Sequence, residues 1–202
     1  MEHKQALLGK TLADLGQVAA DLAMPKFAAG QMADWLYKKR AADVGSMSNL
    51  SAKHRAMLAE RYDVGLRPFS AEQSSKDGAK KYLFGVGGEK GAYVESVLIP
   101  EAERTTLCLS SQAGCQMGCK FCMTARMGFR HNLTPGEIIN QIFGIPHSAA
   151  LSNLVFMGMG EPMSNIDSLL ASLEIITAPW GMAWSPTRVT VSTIGVLPAL
   201  KR

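Results

Sequence analysis

The chain has 202 residues, enough for one or two domains. Its composition, 47% hydrophobic and 19% charged, is typical of a globular protein, and the absence of any apolar run of about 18 residues predicts no membrane-spanning helix. The N-terminus also lacks the pattern of a secretory signal peptide, so we expect a cytoplasmic protein with reduced cysteines.

The formal net charge of +4 is unevenly distributed along the chain. Residues 1–90 carry 14 Lys and Arg against 10 Asp and Glu, whereas residues 91–202 carry 7 of each. An excess of this size is compatible with nucleic-acid binding, but an ordinary solvated surface gives the same pattern. The charge alone leaves both interpretations open.

Residues 1–66 predict a small helical accessory domain. Thr11 is suited to cap a first helix, because apolar residues follow it at helical spacing. A second helix is expected from about Pro25, with Phe27 and Trp35 on its apolar face, and a third over residues 48–62. Five basic residues of this region are candidates for contact with RNA phosphates, although a solvated helix face is the plainer interpretation. They are Lys38, Lys39, Arg40, Lys53 and Arg55.

Residues 67–100 predict a linker followed by a β hairpin. Turn-forming residues fill positions 67–80, and two alternating segments then flank the glycine-rich turn at 87–91. Glu95 is a single carboxylate among apolar residues in the second of these strands. If its face of the strand is buried, its pKa should rise and the group could transfer protons; otherwise it is an ordinary solvent-facing glutamate.

Residues 101–202 predict alternating strands and helices. Strands are expected at 105–110, 153–157 and 188–192, with helices between them, which favours a parallel sheet. A strand that leads directly into a reactive loop is typical of a β/α barrel. Because three β/α units cannot close a barrel, we expect an incomplete barrel with an unpaired edge strand. The fold class is therefore α/β, with a helical domain, a hairpin and part of a barrel.

Three of the four cysteines lie close together, as Cys115, Cys119 and Cys122 in the order C-x3-C-x2-C. Three thiolates can hold a [4Fe–4S] cluster and leave the fourth iron open to another ligand. A structural zinc site usually takes four ligands in two pairs, and plain structural cysteines are the third alternative. The spacing favours the iron–sulfur interpretation.

The cysteine spacing resembles the signature of radical S-adenosylmethionine (SAM) enzymes. Further segments resemble one family within that superfamily, the RlmN-type methyltransferases, which methylate C2 of adenine in 23S ribosomal RNA and in transfer RNA. The matching segments are residues 93–100, 106–115, 119–122, 127–133, 157–162 and 188–195. The helical start of the chain also resembles the accessory domain of this family.

The resemblance implies two cofactors, a [4Fe–4S] cluster on the three cysteines and SAM on its open iron. Gly160 and Glu161 match the strand-end motif that holds the SAM amino group, and Ser192 matches a position that contacts SAM. A carboxylate suits that ammonium group physically. Without the resemblance, Ser192 would be interpreted as an ordinary strand serine.

The resemblance also implies roles in the reaction for two residues. Glu95 matches the proposed proton acceptor. Cys108 matches a cysteine that releases the product by forming a disulfide with a methyl-carrying cysteine, although its sequence context alone indicates a buried strand residue. Adenine C2 is not nucleophilic, so a radical cofactor is needed to methylate it.

The methyl-carrying cysteine of this family lies in a C-terminal half that the 202 residues do not contain. We therefore expect a truncated form that binds the cofactors without completing methylation. The resemblance further implies an electron donor for the cluster, and we expect a monomer with no membrane partner. Two alternatives remain open: the related methylation of adenine C8, and a non-catalytic iron–sulfur or RNA-binding fragment.

Overall fold

A computed structural model describes residues 4–88 and 91–201. The N-terminal region is helical, as predicted. Its elements are α1 (Leu12–Asp21), α2 (Ala28–Ala33) with a π-helical continuation (Asp34–Lys38), a 3-10 turn (Val44–Ser46) and α3 (Ala52–Arg61). Thr11 caps α1, and Ser51 caps α3 by accepting a hydrogen bond from the His54 N–H.

Two predictions for this helical region were wrong in detail. Phe27 precedes α2, and its side chain is 68% exposed, so it does not share the buried face of that helix. The third helix starts four residues later than expected, because Ser51 provides the cap. A short parallel pair of strands, β1 (Gln5–Ala6) and β2 (Tyr62–Asp63), closes the region and had no signal in the sequence.

A six-stranded mixed sheet forms the centre of the rest of the chain. The further strands are β3 (Ala71–Ser74), β4 (Lys80–Val86), β5 (Ala92–Pro100), β6 (Thr105–Cys108), β7 (Gln112–Ala113), β8 (His131–Asn132), β9 (Asn153–Phe156) and β10 (Val189–Val191). The order in the sheet is β10-β9-β6-β5-β4-β3. Strands β6, β9 and β10 are parallel, as predicted, and the hairpin strands extend the same sheet in antiparallel pairing. Among the described strands, β10 pairs only with β9, so it forms an edge.

The predicted linker contains a strand that the sequence did not reveal. Strand β3 pairs with β4, but all four of its residues are exposed. An edge strand with both faces in solvent has no apolar alternation, and this removes the usual sequence signal. The turn predicted at 87–91 lies partly outside the described residues, since positions 89 and 90 are not described.

Four helices follow the hairpin: α4 (Met123–Arg126), α5 (Pro135–Phe143), α6 (Ile166–Thr177) and α7 (Leu197–Leu200). Helix α5 opens as predicted, with Thr134 and Glu137 forming a reciprocal capping box around Pro135 at the first helical position. No helix among the described residues combines the length and apolar character needed to cross a membrane.

The accessory region packs against the barrel region through close and specific contacts. A Cβ atom on Gly136 would lie 2.6 Å from the Leu8 carbonyl oxygen, so only glycine permits this approach. The Tyr37 and Trp180 rings meet edge-to-face with their centroids 5.9 Å apart. Arg40 lies over the Phe143 ring, and its guanidinium donates a hydrogen bond to the Ser148 hydroxyl. One apolar core therefore continues through both regions.

Candidate functional site

The carboxyl ends of the parallel strands open onto one cavity of about 370 Å³. The loop that carries Cys115, Cys119 and Cys122, here called the cysteine loop, follows β6. A glycine loop at residues 157–162 follows β9, and residues 192–195 follow β10. The cavity lining includes six of the residues predicted for the site. They are Cys115, Cys119, Cys122, Gly160, Glu161 and Ser192. The fold therefore brings together segments that are up to 77 positions apart in sequence, at the end of the sheet where β/α proteins place their ligands.

The base of the cysteine loop is closed by a short antiparallel pair, β7 with β8. Within the loop, the Cys122 N–H donates a hydrogen bond of 3.0 Å to the Cys119 carbonyl oxygen. Cys122 also stands at the start of α4, where the backbone N–H of Ala125 lowers the pKa of its thiol. Burial opposes this effect, and Thr124 adds to it, so the net change favours the thiolate that binds iron.

The three cysteines of the cavity form a donor set that suits an iron–sulfur cluster. Each is a half-exposed free thiol, and all three line the same cavity. A [4Fe–4S] cluster is held by cysteine thiolates, and three of them leave one iron open to another ligand.

The glycine loop approaches the segment between β6 and the cysteines too closely for any side chain at two of its positions. Gly160 has a φ of +98°, and a Cβ atom there would lie 2.5 Å from the Cβ of Gln112. A Cβ atom on Gly158 would lie 2.7 Å from the Leu109 carbonyl oxygen. Both glycines are therefore required by the packing of the cavity wall.

Glu161 is 4% exposed, and its carboxylate is held by hydrogen bonds from the chain itself. One oxygen accepts from the Thr193 hydroxyl at 2.6 Å and from the Met163 N–H at 2.9 Å. The other accepts from the Ile194 N–H at 3.0 Å. A carboxylate has about four acceptor positions, so capacity for one further donor remains.

Gln112 and Thr193 are site residues that the sequence analysis missed. The Gln112 side-chain oxygen accepts from the Glu161 N–H at 2.9 Å, and its amide nitrogen donates to Asn132 at 2.8 Å. Gln112 thus connects the cysteine loop to the glycine loop. Its position three residues before Cys115 was the only available signal, because a glutamine carries no chemistry that marks it in sequence.

Glu95 and Cys108 do not line this cavity but share one face of the sheet. Cys108 lies opposite Val97 in the β5–β6 pairing, and Glu95 is two residues from Val97, so all three side chains point to the same side. Glu95 forms a 2.9 Å ion pair with Lys81, and its side chain is 43% exposed. The burial that the strand pattern alone would require for proton transfer by Glu95 is therefore not present.

Cys108 is half-buried, and burial raises the pKa of its thiol, an effect that the Met157 N–H offsets only in part. All four cysteines lie in the described part of the chain, and each is a free thiol. The disulfide expected for Cys108 is thus not supported by the described structure.

Comparison with known proteins defines the class of this fold and site. Residues 109–202 match the model of the radical SAM superfamily, and residues 5–64 match the ribosomal RNA large subunit methyltransferase N-terminal domain. A crystal structure of a radical SAM methyltransferase from Sphaerobacter thermophilus superimposes with a TM-score of 0.85 at 36% identity, over 96% of this chain and 58% of that chain. The partial barrel preceded by a helical region is thereby confirmed as the fold class.

The curated relatives narrow the class to one family. A probable dual-specificity RNA methyltransferase RlmN from Porphyromonas gingivalis is 55% identical over 96% of this chain and 54% of its own length. Its counterpart from Parabacteroides distasonis is 52% identical over 100% of this chain and 58% of its own length. The chain belongs to the RlmN-type family of radical SAM methyltransferases, and it spans about half the length of these relatives. Membership implies a [4Fe–4S] cluster and SAM as cofactors.

Proposed function

We propose that this chain forms the cofactor-binding part of an RNA methyltransferase that methylates C2 of adenine in 23S ribosomal RNA and in transfer RNA. The observation that carries the proposal is the single cavity lined by three cysteines and the glycine loop, at the carboxyl ends of parallel strands. The names of the curated relatives, dual-specificity RNA methyltransferases, support the choice of RNA as substrate.

Different residues of the cavity would bind each of the two cofactors. Cys115, Cys119 and Cys122 hold the cluster, and the lowered pKa of Cys122 favours its thiolate. Gly160 and Glu161 hold the SAM amino group, through backbone carbonyls and the remaining acceptor position of the carboxylate. Ser192 is exposed at the end of β10, where its hydroxyl is free to contact SAM.

When bound, the cluster and SAM supply the one-electron chemistry that an unreactive C–H position requires. The chain itself supplies acid–base and thiol groups on the sheet face described above. Glu95 accepts the proton that leaves adenine C2, and Lys81 holds its carboxylate in position. Cys108 then attacks the sulfur of a partner cysteine from the C-terminal half of the family. The S–S bond forms as the bond from that sulfur to the transferred carbon breaks, and the released carbon takes up a proton to become the methyl group.

The sequence contains four cysteines, and each already has a role in this scheme. None is left to carry the methyl group, so we expect the 202 residues alone to cleave SAM without methylating RNA. The cluster receives its electron from an electron donor, and the chain acts as a monomer in the cytoplasm. We divide it into an RNA-contacting domain (1–66), a linker and hairpin (67–100) and the cofactor domain (101–202).

The proposed RNA contact involves few of the basic residues expected to make it. Lys39 pairs with Asp34, and Arg40 contacts Phe143 and Ser148 of the barrel. Arg55 donates to the Leu50 carbonyl oxygen. Lys38 and Lys53 are exposed, so they are the better candidates for phosphate contact.

Nucleoside analysis by mass spectrometry tests the proposal. The anaerobically reconstituted chain is incubated with SAM, a reductant and 23S ribosomal RNA, beside the full-length relative from Porphyromonas gingivalis as positive control. We expect 5′-deoxyadenosine from both proteins and 2-methyladenosine only from the relative. Formation of 8-methyladenosine by the relative would favour the C8 alternative, and 2-methyladenosine from the chain alone would overturn the assignment of its cysteines. Retention of RNA binding without any SAM cleavage would favour a non-catalytic module.

A further inference from the structure

Helix α5 presents two consecutive buried carboxamides, each paired with the main chain of a distant segment. Asn140 accepts from the Arg67 N–H at 2.8 Å and donates to the Arg67 carbonyl oxygen at 3.0 Å. Gln141 accepts from the Ser110 N–H at 2.9 Å and donates to the Ser110 carbonyl oxygen at 2.9 Å. The two side chains make the same bidentate contact, one with the linker and the other with the segment that follows β6 and leads into the cysteine loop.

Ser110 extends the Gln141 contact to the glycine loop and to β5. Its hydroxyl accepts from the Met159 N–H of the glycine loop at 2.8 Å and donates to the Glu95 carbonyl oxygen at 2.6 Å. The Ser96 hydroxyl donates to the same Gln141 oxygen at 2.7 Å. One buried network therefore joins β5, the segment between β6 and the cysteine loop, and the glycine loop.

The hydrogen-bonding capacity of the Gln141 amide is fully used. Its oxygen accepts from two donors, Ser96 and Ser110, and its nitrogen donates to the Ser110 and Glu137 carbonyl oxygens. A flipped amide would place its nitrogen against two donors, so one orientation is enforced. Because Ser96, Ser110 and Gln141 are all 0% exposed, water cannot replace any of these bonds.

We propose that Gln141 is a positioning residue for the cofactor site. Its amide pairs with the main-chain N–H and carbonyl of Ser110, as the backbone of a neighbouring strand would. Through the Ser110 hydroxyl, it also fixes the cysteine loop against the glycine loop. The cluster ligands and the SAM-binding loop then keep one relative position. This inference rests on the proposed function, because it assigns the network to the site where the two cofactors would meet.

Two nearly isosteric substitutions on adjacent residues test the proposal. Gln141→Met and Asn140→Leu each remove one bidentate contact. The first leaves the buried main-chain groups of Ser110 without their partner, and the second leaves the part-buried main-chain groups of Arg67 without theirs. Thermal unfolding of the cluster-free proteins measures their stability, and iron content after anaerobic reconstitution measures cluster uptake. The change that SAM causes in the electron paramagnetic resonance spectrum of the reduced cluster measures whether SAM binds next to the cluster.

We expect both variants to unfold at a lower temperature than the unsubstituted chain. Only Gln141→Met should lose most of its iron and the spectral change on addition of SAM, whereas Asn140→Leu should keep both. Gln141→Glu keeps the accepting oxygen and loses the donating group, so its iron content and its SAM response should lie between those of the unsubstituted chain and of Gln141→Met. If Gln141→Met does not fold, Gln141→Glu decides the test.

Two results would overturn the positioning role: normal iron and SAM response in the Gln141 variants, or an equal loss of both in Asn140→Leu. A different result separates the underlying function from this role. If the unsubstituted chain folds but takes up no cluster, the proposed function fails first, and the positioning role fails with it.

Discussion

The carboxylate of Glu161 accepts a 2.6 Å hydrogen bond from the Thr193 hydroxyl. This pair joins the loop after β9 to the loop after β10, and the Ile194 N–H strengthens the connection from the same segment. Since Glu161 is almost completely buried, these donors take the place of water around its carboxylate. Glu161 therefore shapes the cofactor cavity in addition to lining it.

Replacement of Thr193 by valine should destabilise the fold by about 1.5–3 kcal/mol, the usual range for a hydrogen bond to a charged group. The substitution keeps the side-chain shape and removes only the hydroxyl that donates to Glu161. Urea unfolding measures the effect. Thr190→Val is the matched control, because Thr190 is an exposed threonine of β10, three residues before Thr193. Equal effects of the two substitutions would contradict the importance of the Glu161 contact.

The ion pair between Lys81 and Glu95 should contribute little to stability. Both side chains are more than 40% exposed, so solvent screens their attraction. A double-mutant cycle with Lys81→Met and Glu95→Gln should give a coupling free energy of about 0.2–1 kcal/mol, which decreases with added salt. A salt-independent coupling well above this range would mean that the Glu95 side of the sheet is shielded from water.

Alkylation should distinguish Cys122 from Cys108 in the cluster-free chain. Backbone N–H groups lower the pKa of the Cys122 thiol, whereas burial raises that of Cys108. Because the thiolate is the reacting species, iodoacetamide at neutral pH should modify Cys122 well before Cys108. Peptide mass spectrometry over time measures both rates, with urea-unfolded chain as the control in which they converge. Faster modification of Cys108 in the folded chain would contradict the assigned environments.

Acid should weaken the contribution of Glu137 to stability. Burial raises the pKa of this carboxyl, but hydrogen bonds from Gly87, Thr134 and His131 outweigh it, and the net pKa is lowered. Because the pKa is lower in the folded state, the ionised carboxylate stabilises the fold at pH values above the unfolded-state pKa of about 4.3. This stabilisation is lost as the pH falls through the folded-state pKa.

The difference in unfolding free energy between the unsubstituted chain and Glu137→Gln tests this expectation. The difference should be largest near neutral pH and should shrink progressively below about pH 4. Urea titrations over this range measure it. A difference that stays constant, or grows on acidification, would show that the charge of Glu137 does not stabilise the fold.

The elements of the fold that have local signals could be predicted from sequence. Thr134, Pro135 and Glu137 specify the start of α5 within four positions, and the alternating pattern specifies the central hairpin. Strand β3 could not be predicted, because its residues are all exposed. Phe27 was misplaced because a large apolar residue is normally expected in a core, and here it faces solvent.

The same holds for the site: residues with a local sequence motif could be predicted, whereas residues that depend on distant partners could not. The cysteine spacing and the glycine motif identify their own loops, and the fold brings these loops together. The supporting residues Gln112, Gln141 and Thr193 were missed, because each has a partner in the site that lies 31 to 49 positions away in the chain. A buried polar side chain resembles a surface one until its partners are known.

Anaerobic reconstitution with iron and sulfide, followed by SAM and dithionite, tests most directly whether the cysteine and glycine loops form one cofactor site. We expect about four irons per chain, as in a [4Fe–4S] cluster, and chromatographic detection of 5′-deoxyadenosine. Both should be lost on replacement of Cys115, Cys119 or Cys122 by alanine. A folded chain that binds no iron, or that keeps its full iron content and SAM cleavage in Cys119→Ala, would contradict the site.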